Sequence, residues 1–126
     1  MKQTADIVII GGGVMGCSIL YHLARLGVTN SLLLEKDVLG SGSTGRSMTL
    51  SRMHYSNPVT ASMAWESLKV YANFDDSVGG ASGFVKTGFL AVAEAIDRPA
   101  MERNVAMHQE LNINSSLITA DDLKEL

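Results

Sequence analysis

The sequence predicts an α/β fold that opens with a βαβ unit on a parallel sheet, and three observations predict it. A short β-branched run, Asp6–Ile10 (DIVII), is ended by glycine. Apolar residues then recur at helical spacing. A second apolar run, Ser31–Glu35 (SLLLE), closes on an acid.

The first run has the unbroken apolar texture of a strand buried on both faces of a parallel sheet. From Val14 to Leu26 the residues Ile19, Leu20, Leu23 and Leu26 follow a helical period, with Gly27 where a C-terminal cap is expected. The right-handed crossover rule sets the second strand parallel beside the first. Gly40 to Ser51 is rich in Gly, Ser and Thr, the composition of a polar loop. Pro58 opens a long helix reaching about Val78, with Gly79 and Gly80 ending it. Phe84–Lys86 and Gly88–Ala93 then read as two strands joined by a turn, an antiparallel hairpin. A helix from Asp97 to about Leu111, a short strand Ser116–Thr119 and an N-cap at Thr119 follow. The last helix is only beginning at Leu126, so the expectation is a truncated chain.

Composition narrows the function classes. Hydrophobic residues at 46% and charged residues at 18% describe a chain able to bury a core. Ten basic and thirteen acidic side chains, net −3, are scattered without blocks, which argues against nucleic acid and against an anionic membrane surface as partners. No apolar run reaches a membrane-spanning length, and Gly11–Gly13 interrupt the first one before it resembles an export signal. Cys17 is the single cysteine, read as a small core side chain, and no Cys and His cluster has metal-ligand spacing. A reducing, cytoplasmic setting is the expectation, with no metal.

The chemistry concentrates in Gly11–Gly16 (GGGVMG), a GxGxxG pattern between a strand and a helix. Gly11 turns the chain, Gly13 admits a pyrophosphate close to the backbone, and Gly16 lets helix and strand pack. With Val14 and Met15 they offer amides at a helix N-terminus, where the dipole favours anions. Glu35 lies 19 residues beyond Gly16, at the end of the second strand and beside Lys36. An acid there suits ribose hydroxyls and repels a 2′-phosphate, so NADP is disfavoured while FAD and NAD stay open. These features make the expected fold a Rossmann-like dinucleotide-binding βαβ. After Glu35 the chain does not continue the simple alternation of an NAD-binding domain. It supplies a second small-residue loop, Gly40–Arg46, suited to the extended length of FAD.

Asp6–Gly16, Tyr21–Ala24, Gly27 and Glu35, continued by Gly42–Ser47 (GSTGRS), Thr49–Arg52 (TLSR) and Tyr55, resemble the D-amino-acid oxidase superfamily. The likeness is to its sarcosine oxidase and dimethylglycine dehydrogenase branch, and it runs across nearly the whole chain. The resemblance implies that the βαβ unit holds the ADP half of FAD and that Ser43, Thr44 and Gly45 reach the pyrophosphate and flavin. It implies that Arg52 holds the flavin or a substrate carboxylate, as a planar charged fork can. Residues 1–82 would then serve the cofactor and 83–126 begin a substrate-binding domain with an antiparallel sheet. The implied reaction oxidises an amine or amino acid by hydride transfer to flavin.

His54 is read as a half-buried structural imidazole, since the branch's covalent flavin position corresponds to Gly45 and Arg46, and His22 and His108 are read as ordinary helix residues. Relatives in the family are several times longer, so a partner subunit or a missing remainder is implied. A non-catalytic nucleotide-binding or partner-dependent fragment is the other reading, and an NAD-dependent dehydrogenase a third. A half-built sheet would leave edges and an apolar face for other segments to cover.

Overall fold

Ile7–Ile10 forms strand β1, Val14–Arg25 helix α1 and Ser31–Leu34 strand β2 in the computed structural model, which describes residues 4–125. The remaining elements are helices: α2 (Pro58–Ala72), the one-turn α3 (Phe74–Ser77) and α4 (Arg98–Glu110), with 3₁₀ turns at Ala95–Asp97 and Asp122–Lys124. The chain divides into two compact units, one ending at Leu50 and the other beginning at Ser51.

In the first unit β1 and β2 pair in parallel, with Ile7 opposite Ser31 and Ile10 opposite Leu34. Parallel pairing needs a crossover, and α1 supplies it, packing on both strands. The helix ends as its glycine predicts. Gly27 takes a φ of +85°, its N–H donates to the Ala24 carbonyl, and the Val28 N–H reaches back to the Leu23 carbonyl. That is a Schellman closure, which satisfies two carbonyls the helix would otherwise leave open.

Only one face of this sheet is covered. Ile9 is buried beneath α1, whereas Val8, Ile10, Leu32 and Leu34 share the opposite face and are all exposed, Ile10 at 88%. The expected burial of β1 on both faces is therefore corrected: with α1 on one side, among the described residues nothing packs the other. Cys17 is corrected too. It is exposed, in the first turn of α1, and its Sγ lies 3.6 Å from the Gly12 carbonyl.

In the second unit the long helix expected from Pro58 to Val78 breaks at Asn73. The Asn73 side-chain amide and its backbone N–H both donate to the Lys69 carbonyl, at 2.9 and 3.1 Å, and its backbone leaves the helical region. Such local side-chain bonding competes with helix propagation. Asn57 caps the start, its Oδ1 accepting from the Val59 and Thr60 N–H groups, with Pro58 in the first turn where no N–H is needed. Helix α4 packs on α2. It closes with Asn112 at a φ of +57° and the Ile113 N–H on the His108 carbonyl, a second Schellman closure. Ala61, His108 and Ile113 are the buried residues of this unit among those described.

The expected hairpin at 84–93 and strand at 116–119 do not form, and β1 and β2 are the only strands among the described residues. An isolated two-stranded hairpin is marginal in water, and no third strand lies beside these segments to complete a sheet. The expected N-cap at Thr119 is corrected, since the 3₁₀ turn Asp122–Lys124 has Asp121 as its N-cap, but Thr119 and Asp122 do exchange hydrogen bonds. The Asp122 carboxylate accepts from the Thr119 N–H and hydroxyl, at 2.6 and 2.7 Å, and the Asp122 N–H donates back to the Thr119 hydroxyl. Leu126, where the last helix was expected to be cut, lies outside the described residues.

Candidate functional site

The first unit brings the glycine loop, the end of β2 and the loop after it to the N-terminus of α1. Gly11 leaves β1 at a φ of +104°, accessible to glycine with little strain, while its N–H extends the ladder to the Leu34 carbonyl at 2.8 Å. Gly13 is the extended N-cap of α1. A Cβ on Gly16 would stand 1.9 Å from the Gly11 carbonyl oxygen, so only glycine lets α1 approach β1 this closely. The first and third glycines thus have the structural roles their spacing predicts.

Gly12 was given no role by its spacing, yet it is the most tightly engaged of the three loop glycines. Its N–H donates to Glu35 Oε2 at 2.7 Å, and its carbonyl accepts from the Gly40 N–H at 2.9 Å. A Cβ there would meet the Leu39 side chain at 2.5 Å. The signal was present as a glycine at an unconstrained position of the motif, above an acid at the end of β2.

Glu35 spends its second oxygen on the Asp37 N–H, at 3.1 Å. These hydrogen bonds, Gly12 first and Asp37 second, hold its carboxyl below the usual glutamate range. A carboxylate offers about four acceptor positions, so lone pairs remain for a hydroxyl ligand. Lys36, beside it, is exposed and adds a smaller favourable charge.

The polar loop folds back over the helix start. The Gly45 N–H donates to the Gly40 carbonyl at 2.7 Å, which presents Thr44 so that its Oγ1 accepts from the Val14 N–H at 2.9 Å. Val14 and Met15 are exposed in the first turn, as is Ser43 in the loop. The N–H groups of Met15 and Gly16 have no acceptor within an α-helix by its geometry. No acidic residue occupies the first turn of α1, so no negative charge is built into the positive end of the helix. Thr44→Val removes the Val14 acceptor at nearly constant volume. It is expected to lower the stability of the first unit by about 1 kcal/mol, the usual worth of a cap, in a urea melt.

This arrangement fits an anionic dinucleotide on its own geometry. Gly13 leaves an uncovered backbone where a side chain would stand, its Cβ position being free of everything but Thr44 Oγ1 at 3.1 Å. Amides at a helix N-terminus, hydroxyls from a small-residue loop and an acid at the strand end form the donor and acceptor set that a diphosphate and a ribose require.

Arg52 belongs to the second unit. Its guanidinium lies over the Tyr55 ring, 5.4 Å from the centroid, and over Phe89 at 5.9 Å. His54 is half-buried against Phe89 and His108. His108 is buried, with Nε2 donating to the Tyr55 carbonyl at 2.9 Å, a structural tie from α4 to the segment carrying Arg52. Among the described residues no group of acidic, His or Cys side chains could hold a metal ion, and no helix is long and apolar enough to cross a membrane.

Comparison with known proteins extends this picture. Residues 6–126 match the family described as FAD dependent oxidoreductase. The chain is 34% identical to mitochondrial dimethylglycine dehydrogenase of Rattus norvegicus over 77% of its length, which is 11% of that protein. It is 32% identical to the mitochondrial pyruvate dehydrogenase phosphatase regulatory subunit of Mus musculus over 100% of its length, 14% of that protein. Its fold is similar to the crystal structure of L-proline dehydrogenase from P. horikoshii, with a TM-score of 0.84 and 27% identity over 99% of this chain and 33% of the other. The chain thus spans between a tenth and a third of the length of these proteins.

Proposed function

The chain belongs to the family of FAD dependent oxidoreductases, and on that premise we propose that its first unit holds the ADP half of FAD for oxidation of an amine or amino acid. One observation carries the reading: Glu35, Thr44 and the Gly11–Gly16 turn converge on the start of α1. In this reading the Gly13, Met15 and Gly16 amides bind the diphosphate, with Val14 joining them if Thr44 yields its hydrogen bond. The free lone pairs of Glu35 orient the adenosine ribose, with Lys36 flanking it. Ser43, Thr44 and Gly45 line the approach to the flavin, and Arg52 holds the flavin or a substrate carboxylate. When bound, the flavin supplies an acceptor for hydride from the carbon of a C–N bond.

Residues 1–82 serve the cofactor in this proposal, and 83–126 begin the substrate-binding part. The substrate class, sarcosine-like or dimethylglycine-like, is supported by the identity to dimethylglycine dehydrogenase. A further part of the enzyme, in the same chain or another subunit, is the partner it implies. The lone exposed cysteine suits a reducing compartment, and the two relatives named above are mitochondrial.

A second reading is favoured by one observation. One of the relatives matched over the whole chain is a regulatory subunit, so nucleotide binding without turnover is consistent with this sequence family.

Reconstitution separates the two. The 126-residue chain, and whatever longer chain its gene encodes, are incubated with FAD, desalted and examined for the visible flavin band. Anaerobic sarcosine, dimethylglycine or proline is then added. Retained flavin that bleaches supports the enzyme, and retained flavin that no amine bleaches supports the regulatory reading. A colourless protein at both lengths would overturn the FAD assignment.

A further inference from the structure

Glu35 is already tied to the protein before any ligand arrives. Its Oε2 takes the Gly12 N–H at 2.7 Å and its Oε1 the Asp37 N–H at 3.1 Å, so the carboxylate is held at both ends. On the other side of Gly12 its carbonyl is held by the Gly40 N–H at 2.9 Å.

A trans peptide is planar, with its C=O and N–H pointing in opposite directions. Holding the Gly12 carbonyl therefore aims the Gly13 N–H away from Gly40, and holding the Gly12 N–H fixes the plane that carries the Gly11 carbonyl. That carbonyl is the atom against which Gly16 packs. Three consecutive glycines would otherwise be the most freely rotating stretch of the backbone, and ordering them on binding would cost affinity. Leu39 and the Glu35 stem fill the space beside Gly12, which closes the clasp.

We propose that Glu35 is a positioning residue for the diphosphate, acting through the Gly11–Gly12 peptide on which the start of α1 seats, in addition to any contact with ribose. This rests on the reading of the glycine loop as the FAD cradle. A role through ribose alone makes Glu35 silent toward a nucleotide without ribose hydroxyls, whereas a role through Gly12 does not.

The test measures the affinity of wild type, Glu35→Ala and Glu35→Gln for ADP and for 2′,3′-dideoxy-ADP, with a thermal melt of each variant. Glu35→Ala is expected to weaken dideoxy-ADP about tenfold or more, the scale of a hydrogen bond to a charged group. Glu35→Gln keeps a neutral acceptor for the Gly12 N–H and is expected to fall between, which serves if the alanine variant does not fold. Dideoxy-ADP affinity equal to wild type in a folded variant, with ADP weakened, would leave Glu35 as a ribose ligand only and overturn the proposal. Failure of the wild type to bind ADP or FAD would instead overturn the cradle itself.

Discussion

Gly16→Ala is expected to cost the first unit about 3 kcal/mol or more and to remove flavin retention with it, read as a lower urea midpoint and a colourless desalted protein. The added Cβ would stand 1.9 Å from the Gly11 carbonyl oxygen, 3.2 Å from its carbon and 3.4 Å from Ile9 Cγ2. Its nearest neighbour is backbone, with no flexible side-chain end that swings away. Gly11 cannot yield readily, because its φ of +104° and its ladder bond to Leu34 fix it. Relief requires α1 to lift off β1, and that contact buries Ile9, the only buried apolar side chain described in the unit. An unchanged melting midpoint would show that the loop deforms cheaply.

Gly13→Val separates cofactor binding from folding. Its φ of −79° and ψ of −178° are ordinary extended values that valine adopts, and the nearest atom to a new Cβ is Thr44 Oγ1 at 3.1 Å. A small shift of the threonine hydroxyl accommodates it, so the protein is expected to fold. The branched side chain then covers the backbone that a pyrophosphate would approach. FAD affinity is expected to fall on the order of a hundredfold, about 3 kcal/mol, in a fluorescence titration. A folded Gly13→Val protein that binds FAD as the wild type does would remove the main argument for the cradle.

The difference between these two glycines was legible in the sequence, since the motif assigns packing to one and ligand approach to the other. So were β1, α1, β2, the helix end at Gly27 and the helix start at Pro58, because each is set by residues close together in the chain. The hairpin at 84–93 was not legible as absent. Alternating apolar residues state that a segment suits a sheet, but the ladder exists only where partners align. The break at Asn73 turned on one side-chain amide competing for a carbonyl, which periodicity does not register. Glu35 was singled out in the sequence as an acid at the end of the second strand, while its hold on Gly12 depends on the depth of the turn, a three-dimensional quantity. Arg52 stacks on two rings that the sequence places 3 and 37 residues away, and only the nearer was legible beside it.

The pairing of Ile7 with Ser31 has a kinetic meaning. The stretch between these partners is largely taken up by a helix that shortens the excursion of the chain, so the search that joins them is brief and its loop-closure cost small. Every hydrogen bond of the cradle closes between residues 11 and 45. During synthesis from the N-terminus, that stretch emerges from the ribosome well before α4 does. A cradle assembled from near neighbours in the chain has the opportunity to take its shape while the rest is still being made.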